Sequence, residues 1–217
     1  MSEQHTWANP TSASLYAQAV GVFGLGALLA GLVPAVESVL MIPWFCGISL
    51  VLIIVSIIQF RNNELYGATV NLLIGAIFFG SANWMSLLIK FVGLPLGAPV
   101  LGILNTAHIT TFVEGYFNVP LIIFIAILGY LGGRVSWLIS AMIWFITVAV
   151  LALTVWNFLG QPGIQPGIDG LIINFWANAG GWMLLATGVL NLYVGTAVFL
   201  YHLTGKLPLP IGKPIFK

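Results

Sequence analysis

Ten side chains that can hydrogen-bond but carry no charge sit inside the apolar stretches of this chain: Gln18, Asn71, Ser81, Asn83, Thr147, Asn157, Asn178, Thr187, Asn191 and Tyr193. Hydrocarbon offers such groups no partner, so burying them there is costly unless the protein or water supplies one. Two environments do so: a helix–helix contact, where a bond contributes about 0.6–2 kcal/mol, or a solvated path lined by dipoles. No Asp, Glu, Lys or Arg falls mid-span, whereas ion pumps and strongly coupled antiporters depend on such groups. The chemistry this set permits is passage of a neutral or transiently protonated solute, or of an anion held by dipoles.

Catalysis has little to stand on. His5, His108 and His202 show no metal-ligand spacing and cannot face one another as haem ligands, and no Gly-rich loop precedes a Lys-Ser/Thr pair. No catalytic or metal residue is assigned, no cofactor is expected, and the chain reads as a non-enzyme. The net charge of +1 argues against a nucleic-acid partner. The lone Cys46 reads as a small packing residue and leaves no partner for a disulfide within the chain.

Composition says which helices carry these groups. The 217 residues are 60% hydrophobic and 5% charged, against roughly a quarter charged in a soluble domain. The chain reads as an all-α integral membrane protein whose partner is the lipid bilayer. At ~20 residues per span, a single domain of about six helices is expected over 12–33, 38–60, 67–93, 118–132, 135–159 and 180–203. The apolar runs are continuous, which excludes the alternation of a β-barrel. Gly180-Gly181 divides the last run, so 171–179 is expected as a short lip helix or partial re-entrant. The 94–117 stretch is the longest non-spanning segment. No basic region followed by a short apolar core opens the chain, so no cleavable signal is expected. With six spans, Arg61, Arg134, Lys206, Lys213 and Lys217 share the side of the termini and Lys90 the other, with Glu37, Glu114 and Asp169 in the opposite loops. The bias of Lys and Arg places both termini in the cytoplasm, in a plasma (inner) membrane protein.

On a wheel of about 100° per residue, helix 3 puts Gly67, Asn71, Ile74, Phe78, Ser81 and Met85 on one face, as a narrow path would require. Thr69, Ala76, Gly80 and Asn83 fall opposite and read as a helix–helix seam. In helix 1, Gly26/Ala30 and Ala27/Gly31 are small-xxx-small pairs suited to close approach. Asn9-Pro10 can cap the start of helix 1, with Pro at the first helical position; a sharper reading is a carboxylate vestibule at that helix start.

Several patterns together resemble the acetate uptake transporter family, the bacterial succinate–acetate permeases and their fungal relatives. They are Asn9-Pro10 before helix 1, the aromatic-Gly start of helix 3 in "RNNELYG", Arg134 between helices 4 and 5, Trp182 and Tyr193 in helix 6, and the Leu209-Pro210-Ile211-Gly212 tail. The resemblance runs over nearly the whole chain. It implies a homohexamer with a pore in each protomer, and short-chain carboxylates such as acetate or succinate as solute, with or without protons. It also implies a constriction at the positions of Gln18, Ile74 and Ile143, where the family carries Phe, Tyr and Leu. Two isoleucines and an amide could still seal by dewetting, with altered selectivity.

The path is therefore expected to run along Gln18, Asn71, Ile74, Phe78 and Ile143, with Asn9, Pro10, Asn178, Asn191 and Tyr193 as vestibule or binding candidates. Two rivals stand beside a monocarboxylate channel: a channel for neutral solutes such as urea, amides or ammonia, and a non-transporting scaffold subunit whose polar groups merely join helices.

Overall fold

The computed structural model describes residues 8–80, 83–84, 87, 110–164, 170–206 and 209–216. Its helices are α1 (Thr11–Leu29), α2 (Ser38–Arg61), α3 (Leu65–Leu73), α4 (Thr110–Gly132), α5 (Trp137–Phe158) and α6 (Phe175–Thr204). A 3-10 turn at Ala35–Glu37 leads into α2, and α3 runs on as a π-helical segment, Ile74–Gly80. Among the described residues there is no strand, only an isolated antiparallel bridge between Ile164 and Ile172.

Five stretches are long and apolar enough to cross a membrane: Thr11–Leu29, Ala35–Arg61, Glu114–Gly132, Trp137–Phe158 and Phe175–Thr204. Leu65–Gly80 is apolar but shorter. Burial is inverted relative to a water-soluble domain. Gln18, Ser49, Gln59, Asn71 and Asn191 are buried, while Leu40, Trp44, Ile54, Ile57 and Phe175 are exposed. Apolar side chains outside and polar ones inside is the arrangement a multi-pass membrane protein requires.

Helices α1 and α6 run antiparallel along a seam of glycines. A Cβ on Gly26 would lie 2.8 Å from the Leu185 backbone nitrogen, and one on Gly181 would overlap the Ala30 backbone. Gly188 and Gly195 repeat the contact one and two heptads further on, against Phe23 and Leu15. Backbones this close gain dispersion where no hydrophobic effect drives helices together. The close approach expected of Gly26 and Ala30 is therefore real. Gly31 instead lies past the helix, at φ +73°, in a turn against the Ile172 carbonyl.

Three expectations need correcting. Gly180-Gly181 does not divide the last helix: α6 starts at Phe175, capped by Asn174 accepting from the Trp176 and Ala177 amides at 2.9 and 3.3 Å. The two glycines serve packing, Gly181 on α1 and Gly180 on α5 at Leu153. Helix α4 begins at Thr110 rather than 118, which moves Glu114 from a loop onto the helix. Residues 94–109 of the expected long connection lie outside the described residues. Helix 3 is not a regular helix, because the π turn from Ile74 rephases everything beyond it.

The chain termini of the helical part meet at one end, here the proximal end. There the C-terminal tail docks on the α4–α5 turn: the Trp137 amide donates to the Lys213 carbonyl at 3.1 Å and the Ile215 amide to Gly133 at 2.7 Å. Arg61, Arg134, Lys206 and Lys213 all belong to this end. The opposite, distal end carries the 3-10 turn, the start of α4 and the 159–174 connection. Two apolar clusters fill the bundle. One is built on Phe45, Leu52, Phe79 and Leu184 and the other on Leu121, Met142, Ile146 and Val150. Val70 and Phe78 pack against both.

Candidate functional site

Two cavities open toward the two ends. The proximal one, about 380 Å³, is lined by Thr11, Gln18, Gln59, Glu64, Tyr66, Asn71 and Ile143 among others. The distal one, about 590 Å³, is lined by Phe78, Asn83, Glu114, Asn118, Trp156, Asn157 and Gln161 among others. Between them lie two voids of about 20 and 10 Å³. Their walls interlock. Leu73, Ile74, Ile125 and Ile146 line both voids, Gln18 and Ile143 join the first to the proximal cavity, and Phe78 and Leu121 join the second to the distal one. A void this size holds about one water, so the neck is closed to a solute in this conformation. Among the described residues Gln18 is the only polar side chain on it, as a dewetting gate requires.

The proximal wall is organised by hydrogen bonds between side chains of different helices. Gln18 Nε2 donates to Asn71 Oδ1 at 2.7 Å, and Asn71 Nδ2 donates to Gln59 Oε1 at 2.7 Å. Gln59 Nε2 donates to Thr11 Oγ1 at 2.9 Å, whose hydroxyl donates to Asn9 Oδ1 at 2.5 Å. Asn9 Nδ2 donates to Glu64 Oε1 at 2.8 Å, and Asn9 Oδ1 also accepts from the Thr11 amide at 2.9 Å, capping α1. Gly67 makes room for Gln59: a Cβ there would sit 2.8 Å from Nε2.

The expected path residues Gln18, Asn71, Ile74, Phe78 and Ile143 thus all line the neck or the proximal cavity. Pro10 stands at the N-cap of α1, one place before the first helical position. Asn178, Asn191 and Tyr193 line neither cavity. The Asn178 amide closes the end of α1, donating to the Leu29 and Ile172 carbonyls at 3.0 Å each. The Tyr193 hydroxyl donates to the Pro210 carbonyl at 3.0 Å, holding the tail. Asn191 is fully enclosed and neither of its amide atoms has a partner among the described residues. Thr147 and Thr187 bond back to Ile143 and Met183 of their own helices. Asn83, expected on a seam, lines the distal cavity beside Phe78 because of the π turn. Ser81 and Met85 lie outside the described residues.

Gln59, Thr11 and Glu64 were not among the expected site residues. Their signal was thin: a Gln shortly before a glycine-bearing helix start and an acid in the intervening turn.

No protein-family model matches the chain, and no curated protein matches it in sequence. A solved structure matches it in fold: that of the bacterial acetate channel SatP, with a TM-score of 0.72 and 18% identity over 95% of this chain and 99% of that one. The chain has the fold of an acetate channel. At this identity the likeness speaks for the fold, and what passes has to be argued from the neck itself.

Proposed function

We propose that this protein is a member of the acetate uptake transporter family and a membrane channel for small monocarboxylates of the acetate and succinate class. The observation that carries the reading is the apolar neck between two cavities, with Ile74, Ile143 and Gln18 lining the void on its proximal side. Asn71 and Gln18 supply hydrogen bonds and the isoleucines with Phe78 the gate. In this reading the chain spans the plasma membrane six times with both termini cytoplasmic, assembles as a homohexamer, and carries one pore per protomer. The solute passes with a proton or with none to couple.

Flux into proteoliposomes tests it, with acetate and urea compared across a pH series. Acetate uptake that rises as pH falls, with urea uptake unchanged, marks passage with a proton; acetate uptake independent of pH marks passage without one. Ile74→Trp fills the voids of the neck and should lower acetate uptake about a hundredfold, the neck having no room to shift a second ring. Unaltered uptake of every solute in Ile74→Trp would refute the assignment of the path. Wild-type protein with no flux at all would favour the scaffold reading.

The neutral-solute reading, for urea, amides or ammonia, has its own support. Each cavity is lined by one carboxylate, Glu64 or Glu114, and by no Lys or Arg among the described residues.

A further inference from the structure

One series of side-chain hydrogen bonds on the proximal wall keeps a single direction throughout. Five in series run from Gln18 through Asn71, Gln59, Thr11 and Asn9 to Glu64, each residue donating to the next. Their sense is not free. An ionised carboxylate only accepts, and a hydroxyl has one proton. Glu64 therefore fixes Asn9 with its nitrogen outward, and the Thr11 backbone amide, which only donates, holds the Asn9 oxygen from the other side. The Thr11 proton must then go to Asn9, so Gln59 must present nitrogen to Thr11 and oxygen to Asn71. Asn71 in turn presents oxygen to Gln18. Reversing any one amide would set donor against donor or acceptor against acceptor, at the greatest cost at the Gln18–Asn71 and Asn71–Gln59 bonds, which are buried.

The last amide in the series is the one on the neck. Its nitrogen is drawn to Asn71, and its carbonyl oxygen accepts from no group among the described residues yet is not sealed off. The side chains lining the neck otherwise carry no polar atom. A solute crossing there passes the Gln18 amide, whose unbonded carbonyl oxygen can accept from it, and it reaches that amide through mouths lined by Glu64 on one side and Glu114 on the other. All three features repel a carboxylate and favour a hydrogen-bond donor.

We propose that the Gln18 carbonyl oxygen, oriented by the one-way chain that ends on Glu64, selects the solute, so that the neck passes small neutral hydrogen-bond donors and excludes the carboxylate anion. The undissociated acid and the primary amide are the matching solutes. Thr11, Gln59 and Asn71 are positioning residues, acting on the solute through Gln18. The inference rests on the channel reading above and names the form in which its solute crosses.

Acetamide and acetate have nearly the same shape and differ in having or lacking donors, so the pair isolates this contribution at neutral pH. Acetamide entry into proteoliposomes is followed by light scattering, less the rate through protein-free vesicles, and the acetate anion is followed as current across a planar bilayer. The wild-type protein should pass acetamide at least about tenfold faster than acetate, the factor one hydrogen bond to the permeant supplies. Gln18→Leu should lower acetamide flux about tenfold and leave acetate excluded by a wholly apolar neck. Thr11→Val, outside the neck, frees Gln59 and with it the Gln18 amide, so it should narrow the acetamide-to-acetate ratio while the protein stays folded and conducting. A wild-type acetate current equal to the acetamide flux overturns the inference and leaves the channel standing, as does an unchanged ratio in both variants. Failure of both solutes to cross overturns the channel reading itself.

Discussion

The two mouths of the bundle hold similar numbers of amides but arrange them differently. At the proximal mouth four of the five bonds in the series join separate parts of the chain: Gln18 and Thr11 of α1, Asn71 of α3, Gln59 of α2, and Asn9 before α1 with Glu64 of the turn between α2 and α3. Only the Thr11–Asn9 link is local. At the distal mouth the bonds are local. Gln161 Nε2 donates to Asn157 Oδ1 at 2.7 Å, Asn83 Nδ2 to the Phe79 carbonyl at 3.0 Å, and Trp156 Nε1 to the Pro162 carbonyl at 2.9 Å. A network tied to three helices keeps one arrangement, because turning one amide breaks bonds at both neighbours. A pair within one turn of helix can swing out and cost only itself. The proximal mouth is preorganised and the distal one is adaptable, which on the proposed channel reading gives discrimination to the first and capture to the second.

The largest test of that difference removes one amide from each side. Asn71→Leu strips partners from both Gln18 and Gln59 in a buried place, and about 3 kcal/mol of stability should be lost at ~1–3 kcal/mol for each stranded group. Asn157→Leu strands only Gln161, which has the cavity's water to turn to, and about 0.5 kcal/mol or less is expected. Thermal unfolding in one detergent measures both. Equal losses would mean that the proximal bonds are no more coupled than the distal pair.

Gly67→Ala is gentler. Its Cβ would meet the end of the Gln59 side chain rather than backbone, so the amide is pushed aside and the helices stay where they are. A loss of about 1–2 kcal/mol is expected. Because Gly67→Ala and Asn71→Leu damage the same network, their double variant should lose less than the sum of the two. Strict additivity would show Gln59 to be independent of Asn71.

How far the chain's own residues foretold this arrangement varied with the range of the interaction. The apolar runs of α1, α2 and α5 were legible to within a few residues, because a bilayer rewards a long apolar segment whatever its neighbours. Asn71 and Ile74 were legible from the wheel of helix 3, since one precedes the π segment and the other opens it, and Phe78, inside the segment, still meets the neck. Asn83 was not, because a π turn has no signature in local residue pattern and shifts the phase of the residues beyond it. Gly180-Gly181 was misread for a related reason. Glycine marks a break or a close contact equally well, and only the position of α1 decides between them. Gln18 stood out as an amide in an apolar run, but its place at the constriction, like that of Ile143, came from the resemblance. The Gln59–Thr11–Asn9–Glu64 part of the network was invisible, since its members lie up to 55 residues apart and no spacing rule joins them.

Asn191 belongs to neither mouth and so sharpens the contrast between them by the smallest step. Its side chain is fully buried on α6 and both amide atoms lack partners among the described residues, whereas the buried amides Gln18, Asn71 and Gln59 are bonded. An enclosed amide without a partner costs free energy, whereas leucine of similar size costs none and gains contacts. Asn191→Leu is therefore expected to stabilise the fold by about 1 kcal/mol, raising the midpoint of thermal unfolding, and to leave acetamide flux unchanged because the residue lines neither cavity. A lowered midpoint would mean that Asn191 holds a buried water between α6 and its neighbours. The ordered polar interior would then extend from the α1–α2–α3 network into α6, and the distal mouth alone would remain loosely built.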